Sequence, residues 1–140
     1  MTELDHRGRW LALFVLCSGS LMIVLDSTIV NVALPSFRED LGFSESSLAW
    51  VVNAYLLTFG GFLLIGGRLA DRFGPRRMFA LALAGFAIAS AVCGLAQDDG
   101  MLIAARAAQG IMGALLSPAA LAILLATFPE GPERAAPGPR

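Results

Sequence analysis

Apolar residues along this chain fall into four long blocks separated by short charged segments. The blocks are Trp10–Leu34, Leu48–Gly66, Met78–Ala96 and Leu102–Phe128. A helix rises about 1.5 Å per residue, so crossing a hydrocarbon core of about 30 Å takes about 20 apolar residues. Each block has roughly that length, and together they predict transmembrane helices over 10–34, 48–66, 78–96 and 102–128. The remaining segments then read as a stub at 1–9, connectors at 35–47, 67–77 and 97–101, and a tail at 129–140. Arg7 and Arg9 precede the first block as they would a signal peptide. The block is nevertheless longer than a usual h-region of about 7–15 residues and shows no clear A-x-A site before the next span, so it reads as a retained helix.

Composition narrows the class. The chain is 56% hydrophobic and only 15% charged, against about 25% charged in soluble domains, which argues against a soluble fold. A net charge of −1 gives no reason to expect a nucleic-acid partner. All ten basic residues are arginine, and their placement is lopsided. Arg7, Arg9, Arg68, Arg72, Arg76, Arg77, Arg134 and Arg140 lie on one side of the expected topology, and Arg38 alone on the other. The positive-inside rule then puts both termini in the cytoplasm, with 35–47 and 97–101 outside the cell membrane of a multi-pass protein. Trp50 suits an interfacial anchor. Cys17 and Cys93 lie in apolar runs and read as packing residues. His6, the one histidine, is on the stub, and neither a metal-ligand spacing nor a nucleophile–base set is present. The expectation is a protein that is not an enzyme and needs no cofactor or metal.

The third and fourth spans are rich in small residues, with Gly85/Ala89 and Gly110/Ala114 at the four-residue spacing that lets helices approach closely in lipid. Pro118 removes a backbone hydrogen bond and predicts a bend in the fourth helix.

The stretch VLDSTIVNVALP, residues 24–35, puts a carboxylate inside a membrane span. At the helical rise, Asp26 lies about 12 Å below Leu34, and Arg106 about 6 Å inside the outer end of the fourth span. The two are close enough in depth to pair directly or through water. On a helical wheel Gly19, Met22, Val30 and Ala33 share the face of Asp26, while Ser20, Ser27 and Asn31 form a neighbouring polar strip. That arc fits a helix lining a wet cavity. An acid at the bilayer centre costs about 2.5–3.5 kcal/mol on insertion scales, which makes a functional role the default reading. Burial penalises the ionised form of a carboxylate and a nearby guanidinium favours it. A pair whose separation changes with conformation would therefore switch its hold on a proton. A structural salt bridge or helix cap is the alternative.

Between the second and third spans runs GRLADRFGPRRMF, residues 67–79. Gly74-Pro75 is a turn signal, with Pro75 suited to the first position of the third helix. Asp71 can cap that region or pair with a neighbouring arginine. On composition alone the segment needs no role beyond fixing topology.

Taken together, three segments resemble the major facilitator superfamily, and within it the fourteen-helix drug:proton antiporter branch. LDSTIVNVALP at 25–35 is similar to the first-helix signature of that branch. GRLADRFGPRRMF resembles the superfamily's loop 2–3 motif, matching at Gly67, Leu69, Ala70, Asp71, Arg72, Gly74 and Arg76, with Pro75 at a position that is basic in the motif. RAAQGIMGA at 106–114 is similar to the fourth-helix motif, matching at Arg106, Gln109, Gly110 and Gly113. The resemblance spans about residues 10–134. It implies an all-α membrane protein whose four helices are the first part of a six-helix N-terminal bundle. It implies alternating-access, proton-coupled export of hydrophobic or cationic drugs. Asp26 and Arg106 would serve proton coupling, and Gly67, Asp71, Arg72, Gly74 and Arg76 a cytoplasmic gate. Asn31 and Asn53 are possible substrate contacts, with ordinary interhelical hydrogen bonds as the other reading. The partners expected are the lipid bilayer, protons, small molecules and the missing C-terminal helices of the same transporter. Four helices supply only part of one of the two bodies alternating access needs, and the sequence after 134 departs from the family pattern. The expectation is a truncated fragment that does not transport by itself. Two rivals stand beside this reading: a four-helix small multidrug transporter working as a dimer, and a membrane assembly subunit that does not transport.

Overall fold

A computed structural model describes residues 6–128. They form four helices: α1 (His6–Leu41), α2 (Glu45–Phe73), α3 (Pro75–Gly94) and α4 (Asp99–Thr127). All four are long and apolar enough to cross a membrane. Most of the N-terminal stub and the whole tail from residue 129, including the departure expected after 134, lie outside the described residues.

Segments expected as connectors are largely helical. α1 continues past Leu34 and through Pro35 to Leu41. Its extension is held by Phe37, which stacks on Phe43 at 6.0 Å and joins Leu34 and Leu48 against a cluster of Phe43, Val51 and Leu102. Gly42, at φ +67°, then turns the chain in a conformation that disfavours any Cβ. Ser44 caps α2 by accepting the amide of Ser47 at 3.2 Å, and Arg38 pairs with Glu45 across the turn at 3.4 Å. The arginine-rich segment holds a single non-helical residue, Gly74, at φ +93°. Its amide reaches back to Ala70 O, and Pro75 opens α3 where no intrahelical donor is needed. At the far end Asp98 caps α4 through the Met101 amide at 2.7 Å, and the Ser47 hydroxyl donates to Asp99 at 2.7 Å, tying the starts of α2 and α4 together.

α4 is the most buried helix and α1 the least. α4 packs chiefly on α2 and α3, with a smaller contact to α1. Glycines set the approach. A Cβ on Gly66 of α2 would strike the carbonyl oxygen of Ala114, and one on Gly85 of α3 would come within 2.5 Å of Met112 Sδ. The first contact also bears on Pro118. That residue lies inside α4 without ending it, yet it cannot donate to Ala114 O four residues back. Gly66 covers that carbonyl, so the freed acceptor is not turned to lipid, where it would be costly.

Among the described residues two apolar clusters form. One gathers Leu16, Ala70, Met78, Phe79, Ala82, Leu116, Ala119 and Ile123, and the other Phe43, Val51 and Leu102. Many other large apolar side chains, such as Phe14, Leu21, Val32, Leu57, Leu64 and Leu121, are exposed on the bundle's outside. In lipid those surfaces have nothing to gain from burial, so what holds the helices together is close packing and interhelical polar contact.

Candidate functional site

The polar contacts lie between the two apolar clusters. On α1, Leu16 and Ile23 join one cluster and Val30 and Leu34 the other, with Asp26 between them. On α4, Leu102 and Ile103 belong to one and Leu115 and Leu116 to the other, with Arg106 and Gln109 between. The helical repeat puts Arg106, Gln109, Gly110 and Gly113 on the buried face of α4.

Asp26 and Arg106 meet directly, with Nη1 of the guanidinium 2.5 Å from Asp26 Oδ2. Their side chains are 12% and 3% exposed, so the charges are largely out of solvent and each depends on the other. Gln109, fully buried, stands between them: its Oε1 accepts from Arg106 Nη1 at 2.8 Å and its Nε2 donates to Asp26 Oδ1 at 2.7 Å. Only this orientation of the amide puts its acceptor toward the cation and its donors toward the anion. The Cys93 thiol, from α3, donates to Gln109 Oε1 at 3.6 Å. Arg106 Nε donates to the Val51 carbonyl at 3.2 Å, and its Cζ lies 4.4 Å from the centre of the Tyr55 ring. All four helices thus contribute to one cluster.

Both oxygens of Asp26 therefore receive donors, and both donors come from α4. Asp26 also lines a cavity of about 350 Å³ between α1 and α3, whose walls include Leu21, Leu25, Ile29, Phe86 and Ser90.

Not all expected residues gather here. Asn31 is exposed, its Nδ2 bonded to Ser27 O at 2.8 Å, and it lines a separate cavity with Arg38, Glu39 and Leu48. Asn53 is exposed as well. Ser27 is partly buried and bonds back to Ile23 O at 3.2 Å. The segment from Gly67 to Arg76 lies at the opposite end of α2 from the cap at Ser44. There Asp71, Arg72 and Arg76 are exposed, and Arg72 rests over the Phe73 ring at 5.8 Å. Among the described residues the ion pairs are Arg38–Glu45 and Arg106–Asp26, so Asp71 joins none. Tyr55, Cys93 and the Val51 carbonyl were not singled out as site residues. Tyr55 and Cys93 read as ordinary members of apolar runs, and a backbone carbonyl carries no sequence signal.

Comparison with known proteins gives a consistent result. The family model described as Major Facilitator Superfamily matches residues 16–136. The chain is 52% identical over 126 residues to the puromycin resistance protein pur8 of Streptomyces alboniger, covering 90% of this chain and 25% of that protein. It is 50% identical over 123 residues to the cephamycin export protein CmcT of Amycolatopsis lactamdurans, covering 88% and 25%. It is 46% identical over 123 residues to the methylenomycin A resistance protein of Bacillus subtilis (strain 168), covering 88% and 26%. The chain spans about a quarter of the length of these curated relatives.

Proposed function

This chain belongs to the Major Facilitator Superfamily, and from that premise we propose that it is the opening four-helix part of a proton-coupled exporter of hydrophobic or cationic small molecules. Membership in this family leaves the dimeric small multidrug transporter without support. The names of the relatives, which speak of antibiotic resistance and export, support the cargo class. In this reading Asp26 is the proton-binding group and Arg106 its switchable counter-ion. Gln109 bridges the two, accepting from Arg106 and donating to Asp26. Gly67, Asp71, Arg72, Gly74 and Arg76 form the cytoplasmic gate, and Asn31 and Asn53 face the route of the cargo. Both termini are cytoplasmic, on the arginine count. The working partners are the lipid bilayer and the further helices of a longer transporter, against which these four would rock.

The observation that carries the reading is the engagement of both Asp26 oxygens by donors of one helix, α4. A movement of α4 against α1 removes both donors together and leaves an isolated acid in a low-dielectric site. That state favours the neutral form. The movement and the proton are thereby linked without any further device.

Proton counting tests this. The chain in lipid nanodiscs, taken from alkaline to acidic pH in lightly buffered solution, should take up about one proton more than its Asp26→Asn variant does. Equal uptake by the two would leave Asp26 as a structural partner of Arg106, the role it would have in an assembly subunit.

A further inference from the structure

Tyr55 has the most elaborate seat in the bundle, and the role proposed above for Asp26 and Arg106 gives it none. It is 4% exposed. One face of its ring receives the Arg106 guanidinium at 4.4 Å, and the ring also stacks on Phe59 at 5.8 Å. Its hydroxyl is the one buried side-chain nitrogen or oxygen among the described residues with no hydrogen-bond partner. The fourth-helix motif is built around it. A Cβ on Gly110 would come within 2.5 Å of Tyr55 O, and one on Gly113 within 3.2 Å of the Tyr55 hydroxyl and 3.1 Å of Phe59 Cδ2. Gly110 thus admits the backbone of Tyr55 and Gly113 its ring, while Arg106 of the same motif lies over its face.

Resting on the proton-site reading, we propose that Tyr55 is a positioning residue whose ring face holds the Arg106 guanidinium in place when Asp26 becomes neutral. The charged and titratable groups facing this point are Asp26 from α1, Tyr55 itself from α2, Cys93 from α3 and Arg106 from α4. While Asp26 is ionised its carboxylate is the main hold on the cation. Once Asp26 is neutral, the guanidinium charge rests on the Val51 carbonyl, Gln109 Oε1 and the Tyr55 ring. A cation–π contact counts for more in a desolvated site than at an exposed one. Removing the ring therefore penalises the protonated site more than the ionised one. The hydroxyl, having no partner, contributes nothing to this hold.

The test uses the chain in lipid nanodiscs, with Asp26 protonation followed by its carboxyl infrared band. Tyr55→Leu should bind the proton about tenfold more weakly than the native chain, and Tyr55→Phe within about twofold of it. A Leu variant with native proton affinity overturns the proposal, as does a Phe variant that weakens as much as Leu. Should the Leu variant not fold, the native chain decides by NMR. The Arg106 guanidinium protons should stay ring-shifted upfield on both sides of the Asp26 transition, and loss of that shift on protonation overturns the proposal. Absence of any Asp26 transition in the native chain is a separate result, and it refutes the proton-site reading itself.

Discussion

Gly110→Ala offers a quantitative test of how α2 and α4 are held together. A Cβ there would lie 2.5 Å from Tyr55 O and 3.1 Å from Tyr55 Cα, besides meeting the Thr58 hydroxyl. The oxygen contact is about 0.9 Å short of ordinary van der Waals distance. Thr58 can rotate away, but the Tyr55 groups are backbone, so the helices themselves have to separate by nearly that amount. The Arg106 Nε bond to Val51 O, already 3.2 Å, lies four residues before Gly110 on α4 and four before Tyr55 on α2. It would stretch beyond useful length. Overpacking costs about 1–3 kcal/mol, and a lost hydrogen bond to a charged group about 1.5–3 kcal/mol. Since the helices relax in part, a net loss of about 2–4 kcal/mol is expected. Gly60→Ala is the control: nothing lies within 4 Å of a Cβ there, and alanine in a helix should add about 0.5–1 kcal/mol. Unfolding equilibria of both variants in mixed micelles measure the contrast. A Gly110→Ala chain as stable as Gly60→Ala would show that α2 and α4 are not in the contact described, and that the seat of Tyr55 is wrong.

Two further outcomes follow from the polar cluster. At alkaline pH, Arg106→Met should destabilise the bundle by about 3–5 kcal/mol because it leaves the Asp26 carboxylate buried without its counter-ion, whereas adding Asp26→Leu should recover most of that loss; unfolding of the two variants side by side measures it. Gln109→Leu deprives Asp26 Oδ1 of its donor and the Cys93 thiol of its acceptor, at a cost of about 1–3 kcal/mol, and it should make Cys93 react faster with a small maleimide.

The four helices could be read from the apolar blocks because lipid imposes length and polarity on any segment that crosses it. Asp26 and Arg106 could be matched because the helical rise converts sequence position into depth. Their distance alone did not require the direct contact: that depends on which face α4 turns to α1. Gln109 was visible as a motif position, but its bridging role needed both partners in place. Tyr55 escaped because its meaning comes from glycines about 55 residues later in the chain, and no periodicity links them. The polar segment 35–41 misled in another way. Its charges suggested a connector, yet Arg38, Glu39 and Asp40 are exposed on a helix that Phe37 anchors from the inner side.

In the proposed function Asp26 binds a proton once the donors of α4 withdraw and releases it when they return. Infrared difference spectra of the native chain in nanodiscs, with Asp26→Asn as the blank, test it most directly. A protonated-carboxyl band, absent at alkaline pH, should grow as pH falls and vanish again when it is raised. A spectrum without that band at every pH where the bundle stays folded would contradict it and leave Asp26 a fixed partner of the guanidinium.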